Sequence, residues 1–139
     1  MIVFDTNVIS ALMQPSENMV VLAWLDRQPR QSIYITSVSI LEVRYGIRIL
    51  PAGRRRLDLT ARFERLLSHA FDNRILPFDV EAAETAAEIA ALRKMRGKAV
   101  SPPDTQIAGI VMSRNATLAT RNVKDFNDLN IPLVNPWDN

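Results

Sequence analysis

The chain has no cysteine and a single histidine, His69, among its 139 residues. The lack of cysteine excludes disulfides, thiolate metal sites and a cysteine nucleophile, and it accords with a cytoplasm. One histidine excludes a two-histidine acid–base mechanism and a structural His/Cys zinc site. His69 falls on a helix and reads as a surface or half-buried residue. Glycine is scarce: Gly46, Gly53, Gly97 and Gly109 form no G-x-G-x-x-G or other phosphate-binding loop, and no G-x-S-x-G occurs. NTP-driven chemistry and serine hydrolysis therefore lose support. Aromatic residues are only 6% of the chain, so base readout by stacking is weak in one copy. No apolar run approaches the roughly 18 residues that a membrane span needs. The N-terminus lacks the basic flank, apolar core and small-residue cleavage site of a signal peptide. Net charge is +2 despite a pI of 9.4, so only local clustering of charge can argue for a polyanionic partner.

What the chain does have is enough apolar residue, 47%, for one core in one domain spanning 1–139. Ile2, Val3 and Phe4 run without alternation, as in a strand buried on both faces of a parallel sheet. Asp5 follows directly, and Thr6 or Asn7 can cap a short helix through Val8, Ile9 and Leu12. Val20, Val21, Trp24 and Leu25 predict a second helix. Ile33 to Thr36 predict a second strand. Ser37 and Ser39 offer caps for a third helix with Ile40, Val43, Ile47 and Leu50 on its apolar face, which puts Glu42 in the first turn. A long amphipathic helix follows Gly53, through Leu57, Phe63 and Leu67. Ile75 to Phe78 predict a short strand at an edge, because of Pro77. Asp79 caps an alanine-rich helix from Glu81 to Arg96, stopped by Gly97. Ser101 to Asp104 open a further helix, Thr117 to Thr120 form a fourth strand, Arg121 to Asp128 form a polar loop or short helix, and Leu133 and Val134 end the sheet. Strands alternating with helices predict an α/β fold with a central, mostly parallel sheet flanked by helices.

In such a sheet Asp5, Glu42, Asp104, Asn122 and Asp125 all reach the carboxyl edge, where open α/β sheets bind ligands. Converging carboxylates repel one another, and a divalent cation resolves the repulsion. Oxygen donors suit Mg²⁺ or Mn²⁺, which can clamp a phosphate oxygen and activate water. Each acid also has a plainer reading. Asp104 stands third after Ser101 in the spacing of a capping box, with Pro at the first helical position. Glu42 stands third after Ser39 and fits a first-turn dipole residue. Asp125 and Asp128, taken singly, read as solvated loop acids. Asp5 is harder to dismiss, since an acid ending the most apolar strand is costly unless solvated, paired or metal-bound. Basic residues surround these acids in sequence: Arg44 and Arg48 on the Glu42 helix, Arg93, Lys94, Arg96 and Lys98 before Asp104, and Arg121 and Lys124 around Asn122. They fit a phosphate-tracking rim or, equally, solvated helix faces. The arginine run Arg54 to Arg56 opens a helix where cations are mildly unfavourable, and fits RNA or an acidic protein segment.

The ordered set Asp5-Thr6-Asn7, Glu42, Pro103-Asp104, Thr120-Arg121-Asn122, Asp125 and the ending Asn135-Pro136-Trp137 resembles the PIN-domain ribonucleases, and within them the VapC/FitB toxins, over essentially the whole chain. That resemblance implies a bacterial, cytoplasmic, Mg²⁺-dependent endoribonuclease, with Mn²⁺ as a substitute, acting on RNA. It implies the toxin of a type II toxin–antitoxin pair, neutralised by a cognate antitoxin. It also implies a homodimer that pairs further with antitoxin dimers, with no membrane role. Carried over by position, Asp5 and Asp104 are the principal metal ligands and Glu42 a further acid. Some relatives have Asp where this chain has Asn122, so either Asn122 coordinates as a neutral oxygen or Asp125 takes the fourth role. Arg96, Lys98, Arg121 and Lys124 are the candidate RNA contacts. Two other readings stand beside it. One is a receiver-like module phosphorylated at Asp79, which lacks the acidic pair and late lysine such a module needs. The other is a PIN domain that binds RNA or antitoxin without catalysis.

Overall fold

A computed structural model describes residues 1–138; residue 139, which the expected single domain includes, lies outside them. Five strands form one sheet: β1 Ile2–Phe4, β2 Ile33–Thr36, β3 Ile75–Leu76, β4 Thr117–Ala119 and β5 Leu133–Val134. Their order is β3-β2-β1-β4-β5 and every pairing is parallel. Among the described residues six α-helices connect and cover them: α1 Thr6–Leu12, α2 Met19–Asp26, α3 Ser37–Arg48, α4 Arg54–Arg65, α5 Val80–Met95 and α6 Pro102–Ser113. α4 runs on into a π-helical turn, Leu66–Ala70, on which His69 is exposed. β3 is an edge strand that stops just before Pro77, as a residue without an amide hydrogen requires.

Successive strand residues point to opposite faces, and this divides the core in two. Phe4 and Ile35 join Val8, Ile9, Trp24, Phe63 and Phe71 under α1 to α4. Val3 and Leu118 join Ile89, Ile107, Ile110 and Phe126 under α5 and α6. Phe4 sits between Trp24 and Phe71, with ring centroids 5.4 and 5.3 Å away. A side chain buried to this degree stabilises the fold by about 1.5–3 kcal/mol. The second layer depends on small residues. α5 presents Ala82 and Ala86 to α6, and a Cβ at Gly109 would meet the Ala82 carbonyl oxygen at 2.6 Å. α5 then ends at Gly97, whose φ of +72° suits a residue without a side chain.

Three local expectations change. Asp5 itself caps α1, accepting the Thr6 amide at 2.8 Å, so neither Thr6 nor Asn7 does. Thr36, the last residue of β2, caps α3 through the Ser39 amide. α3 therefore begins at Ser37, and Glu42 lies in mid-helix, too far along to be a first-turn dipole partner. Ser101 occupies the cap position of α6 but makes no side-chain capping bond; Pro103 has no amide hydrogen to offer it, and its side chain does not reach the Asp104 amide.

Candidate active site

Pairing β1 with β4 sets the centre of the site. The Asp5 amide donates to the Ala119 carbonyl at 2.9 Å, which brings Thr120 beside the end of β1. The Thr120 hydroxyl donates to Asp5 Oδ2 at 2.8 Å, and Asn7 Nδ2 donates to the same oxygen at 3.3 Å. Asp5 Oδ1 accepts the Thr6 amide. A second chain of bonds leaves from Thr6, whose hydroxyl donates to Glu42 Oε1 at 2.6 Å. Having spent its one proton there, the Thr6 hydroxyl accepts from Ser39 Oγ at 2.9 Å. Asp5 and Glu42, far apart in sequence, are thus fixed to the two ends of one threonine.

Asp5 is only 4% exposed. Desolvation raises its pKa to about 6, against the lowering effect of its bonds to Thr120 and Thr6; the charges of Asp104 and Glu42 push it up further. Burial also raises Asp104, in the first turn of α6; Asp125 and Glu42 add to the shift and Arg93 opposes it. Asp104 and Asp125 share a cleft of about 300 Å³. Asp125 ends the 3₁₀ turn Val123–Asp125 and is exposed. Asn122 precedes that turn. Its backbone amide donates to Thr120 Oγ1 at 3.1 Å, while its exposed side chain caps nothing. The expected acids therefore fall into two linked groups, Asp5 with Glu42 through Thr6, and Asp104 with Asp125 across the cleft. The charge of Asp104 felt at Asp5, and of Glu42 felt at both, joins them.

Among the described residues, no ion pair involves Asp5, Glu42, Asp104 or Asp125. A carboxylate as buried as Asp5, without a cation and pressed by two further acids, is relieved either by taking up a proton or by a cation from outside the chain. The donors are all oxygen, which suits Mg²⁺ or Mn²⁺. As placed, no three Asp, Glu or His side chains among the described residues close on a single point. Mg²⁺ needs no such cage, since it keeps several waters and takes one or two carboxylates. The residues present fit such an ion.

The basic residues divide differently from the expectation. Arg93 is no rim cation. It is 4% exposed and grips Asp128 with Nε at 3.2 Å and Nη2 at 3.1 Å, while Nη2 also reaches the Asp125 carbonyl. Asp128 is accordingly no solvated loop acid. Burial works against its charge, but the hydrogen bonds and charge of Arg93, with Lys98 behind them, outweigh this and hold its pKa below the ordinary 3.8. Arg44 pairs with Glu64 at 2.7 Å and lies over the Phe63 ring, so it braces α3 on α4. Arg121 is exposed with its guanidinium 4.9 Å from the Trp137 ring centroid. Lys98 and Lys124 line the cleft with Asp104; Arg96 is exposed at the end of α5 and does not line it. Asp79 caps α5 and pairs with Arg114, leaving it poorly placed to accept a phosphoryl group. The role of Arg93 carries no local sequence signal. The hints for the threonines were their places in the motifs, Thr6 between Asp5 and Asn7 and Thr120 before Arg121 and Asn122.

A PIN domain family model matches residues 2–131. The chain is 36% identical over 138 residues to the VapC ribonuclease Y4jK of Sinorhizobium fredii, covering 99% of each. It is 35% identical to the toxin FitB of Neisseria gonorrhoeae, again covering 99% of each. A crystal structure of FitAcB from Neisseria gonorrhoeae superposes with a TM-score of 0.88 at 35% identity, covering 99% of both chains.

Proposed function

The chain belongs to the PIN-domain family, and on that footing we propose that it is a Mg²⁺-dependent endoribonuclease, the toxin of a type II toxin–antitoxin pair neutralised by a cognate antitoxin. The observation that carries the metal-dependent chemistry is the buried Asp5 carboxylate at the sheet's carboxyl edge, uncompensated by any cation among the described residues and crowded by Asp104 and Glu42. The nuclease class is supported by the ribonuclease name of the Sinorhizobium relative. The antitoxin partner is supported by the solved FitAcB complex and by a further structure of FitAB bound to DNA, whose matching chain superposes with a TM-score of 0.88. In this reading the chain works as a homodimer in a bacterial cytoplasm. Among the described residues no helix is long and apolar enough to cross a membrane.

Asp5 and Asp104 are the ligands in this reading, with Glu42 beside them. When bound, the ion supplies Lewis acidity and positive charge at the phosphodiester being hydrolysed. The chain's own part is positioning. The Thr6 amide and Thr120 hydroxyl take one lone pair on each Asp5 oxygen and leave the carboxylate further acceptor capacity. Thr6 fixes Glu42 Oε1 in the same way. These side chains hang on strand ends and helices rather than on long loops, so little reorganisation accompanies reaction. Asp125 reaches the same cleft as Asp104, whereas the Asn122 side chain is exposed and makes no bond among the described residues, and the fourth acidic role goes to Asp125.

The test is cleavage of single-stranded RNA by the purified, folded chain. Mg²⁺ or Mn²⁺ should support cleavage, EDTA should abolish it, and the purified cognate antitoxin should suppress it. A folded chain that cleaves no RNA with either ion contradicts the reading.

A further inference from the structure

The cleft beside Asp104 also holds polar and cationic side chains that the acids do not explain. The end of α5, the start of α6 and the 3₁₀ turn converge there, and they bring Lys98, Ser101 and Lys124 into one cleft with Asp104 and Asp125. Both lysines are exposed, so their charges are open to a ligand. Lys98 lies 3.4 Å from Asp128, but that carboxylate is already gripped twice by Arg93. One acid shared between two cations leaves a positive charge over. Lys124 has no acidic partner among the described residues. Ser101 holds the cap position of α6 without making a side-chain capping bond. Its hydroxyl makes no bond among the described residues and is available as a donor.

We infer that this cleft is a subsite for the RNA backbone, in which Lys98, Lys124 and the Ser101 hydroxyl hold the phosphate next to the one being cleaved. Phosphate is the group that suits two ammonium groups and a hydroxyl in one recess. A cleft of about 300 Å³ has room for a phosphodiester and its ribose rather than for a duplex. Contact with the sugar–phosphate backbone positions a strand without reading its sequence, which agrees with the scarcity of aromatic side chains. Arg93 is the positioning residue. By bonding Asp128 and the Asp125 carbonyl from a buried place on α5, it fixes the turn that carries Lys124 and Asp125 against the helix end that leads to Lys98. The subsite and the acidic centre therefore share one rigid frame.

The inference rests on the nuclease reading for its ligand, and binding without cleavage separates the two. The probe is a fluorescently labelled single-stranded RNA of about twelve nucleotides, within the span that single-strand binders cover, titrated in EDTA at several salt concentrations. Lys98→Gln with Lys124→Gln should weaken binding roughly tenfold and reduce the log–log salt slope by about 0.7, the loss of one phosphate contact. Ser101→Ala should weaken binding less and leave the slope unchanged. Arg27→Gln, at the end of α2, removes a charge elsewhere and should bind like the parent chain. With Mg²⁺ present, the lysine double variant should raise KM about as much as it weakens binding, with kcat changed less than about twofold, as for lost uniform binding. Unchanged affinity and slope in the double variant, an equal loss in Arg27→Gln, or no RNA binding by the parent chain overturns the subsite. A parent chain that binds in EDTA with these effects, yet cleaves with no ion, overturns the nuclease reading and leaves the subsite standing.

Discussion

Replacing Asp5 by Asn should stabilise the metal-free protein while ending its chemistry. A carboxyl moved from its ordinary 3.8 to about 6 carries about 3 kcal/mol against its ionised form in the fold. The folded chain binds the proton more tightly than the unfolded chain. Stability therefore falls as pH rises through the window from 3.8 to about 6, and levels off above it. Asp104, raised in the same direction by burial first, adds to the fall. Below 3.8 the trend reverses, because Asp128 is held low and its stabilising charge is lost as it is protonated. The asparagine side chain carries no charge to desolvate. It keeps one oxygen for the Thr6 amide but turns a donor toward both Thr120 and the Asn7 side-chain amide nitrogen in place of an acceptor, at a cost of about 1–2 kcal/mol. The net gain at pH 7 is about 1–2 kcal/mol, or roughly 3–8 °C in Tm. Thermal melts in EDTA from pH 4 to 8 measure it. Asp5→Asn should melt above the parent chain at pH 7, and its curve should lose most of the fall between pH 4 and 6. Adding Mg²⁺ should raise the Tm of the parent and not of the variant. A variant that melts at or below the parent at pH 7, with the fall intact, would show that the buried Asp5 charge is not what costs stability.

Arg93→Ala leaves Asp128 with only Lys98, and should destabilise by about 3–5 kcal/mol as a broken buried pair does; chemical denaturation measures it, and a loss under about 1 kcal/mol would mean that Asp128 rotates into water. Gly109→Ala places a Cβ 2.6 Å from a backbone carbonyl that cannot step aside, so it should destabilise by about 1–3 kcal/mol in the same assay, where alanine in an open helix would stabilise. Asp125→Ala should slow RNA cleavage more than Asn122→Ala, since only Asp125 shares the cleft with Asp104; the opposite order in single-turnover rates would give the fourth role to the neutral oxygen at 122.

The sheet was legible because its central strands are short and apolar on both faces, so Ile2 to Phe4 and Ile33 to Thr36 announce themselves without alternation. The carboxyl-edge position of Asp5 followed from that alone. The helix starts were less legible because the strand-ending residues, Asp5 and Thr36, do the capping, while the serines and threonines that follow them look just as suitable. That shift moved Glu42 out of the first turn and under the Thr6 hydroxyl. What stayed hidden are bonds between distant parts of the chain. Thr120 to Asp5 depends on β4 pairing with β1, and Arg93 to Asp128 depends on a turn folding back under α5. Neither pair has a local pattern, and Arg93 in particular stands in a run of cations that looks like an ordinary solvated helix end.

Whether the acids at the sheet's edge serve a cation that cleaves RNA is decided by Asp104→Asn. Asn is nearly isosteric, the helix there gains no capping bond from Asp104 to lose, and one carboxylate disappears from a small oxygen site. The folded variant should melt at or above the parent in EDTA, show a smaller Tm shift on adding Mg²⁺ or Mn²⁺, and cleave RNA more slowly by a factor equivalent to about 3 kcal/mol or more. Full cleavage with an undiminished metal-induced shift would rule out a metal role for this residue, and would leave Asp104 as nothing more than an acid in a helix's first turn.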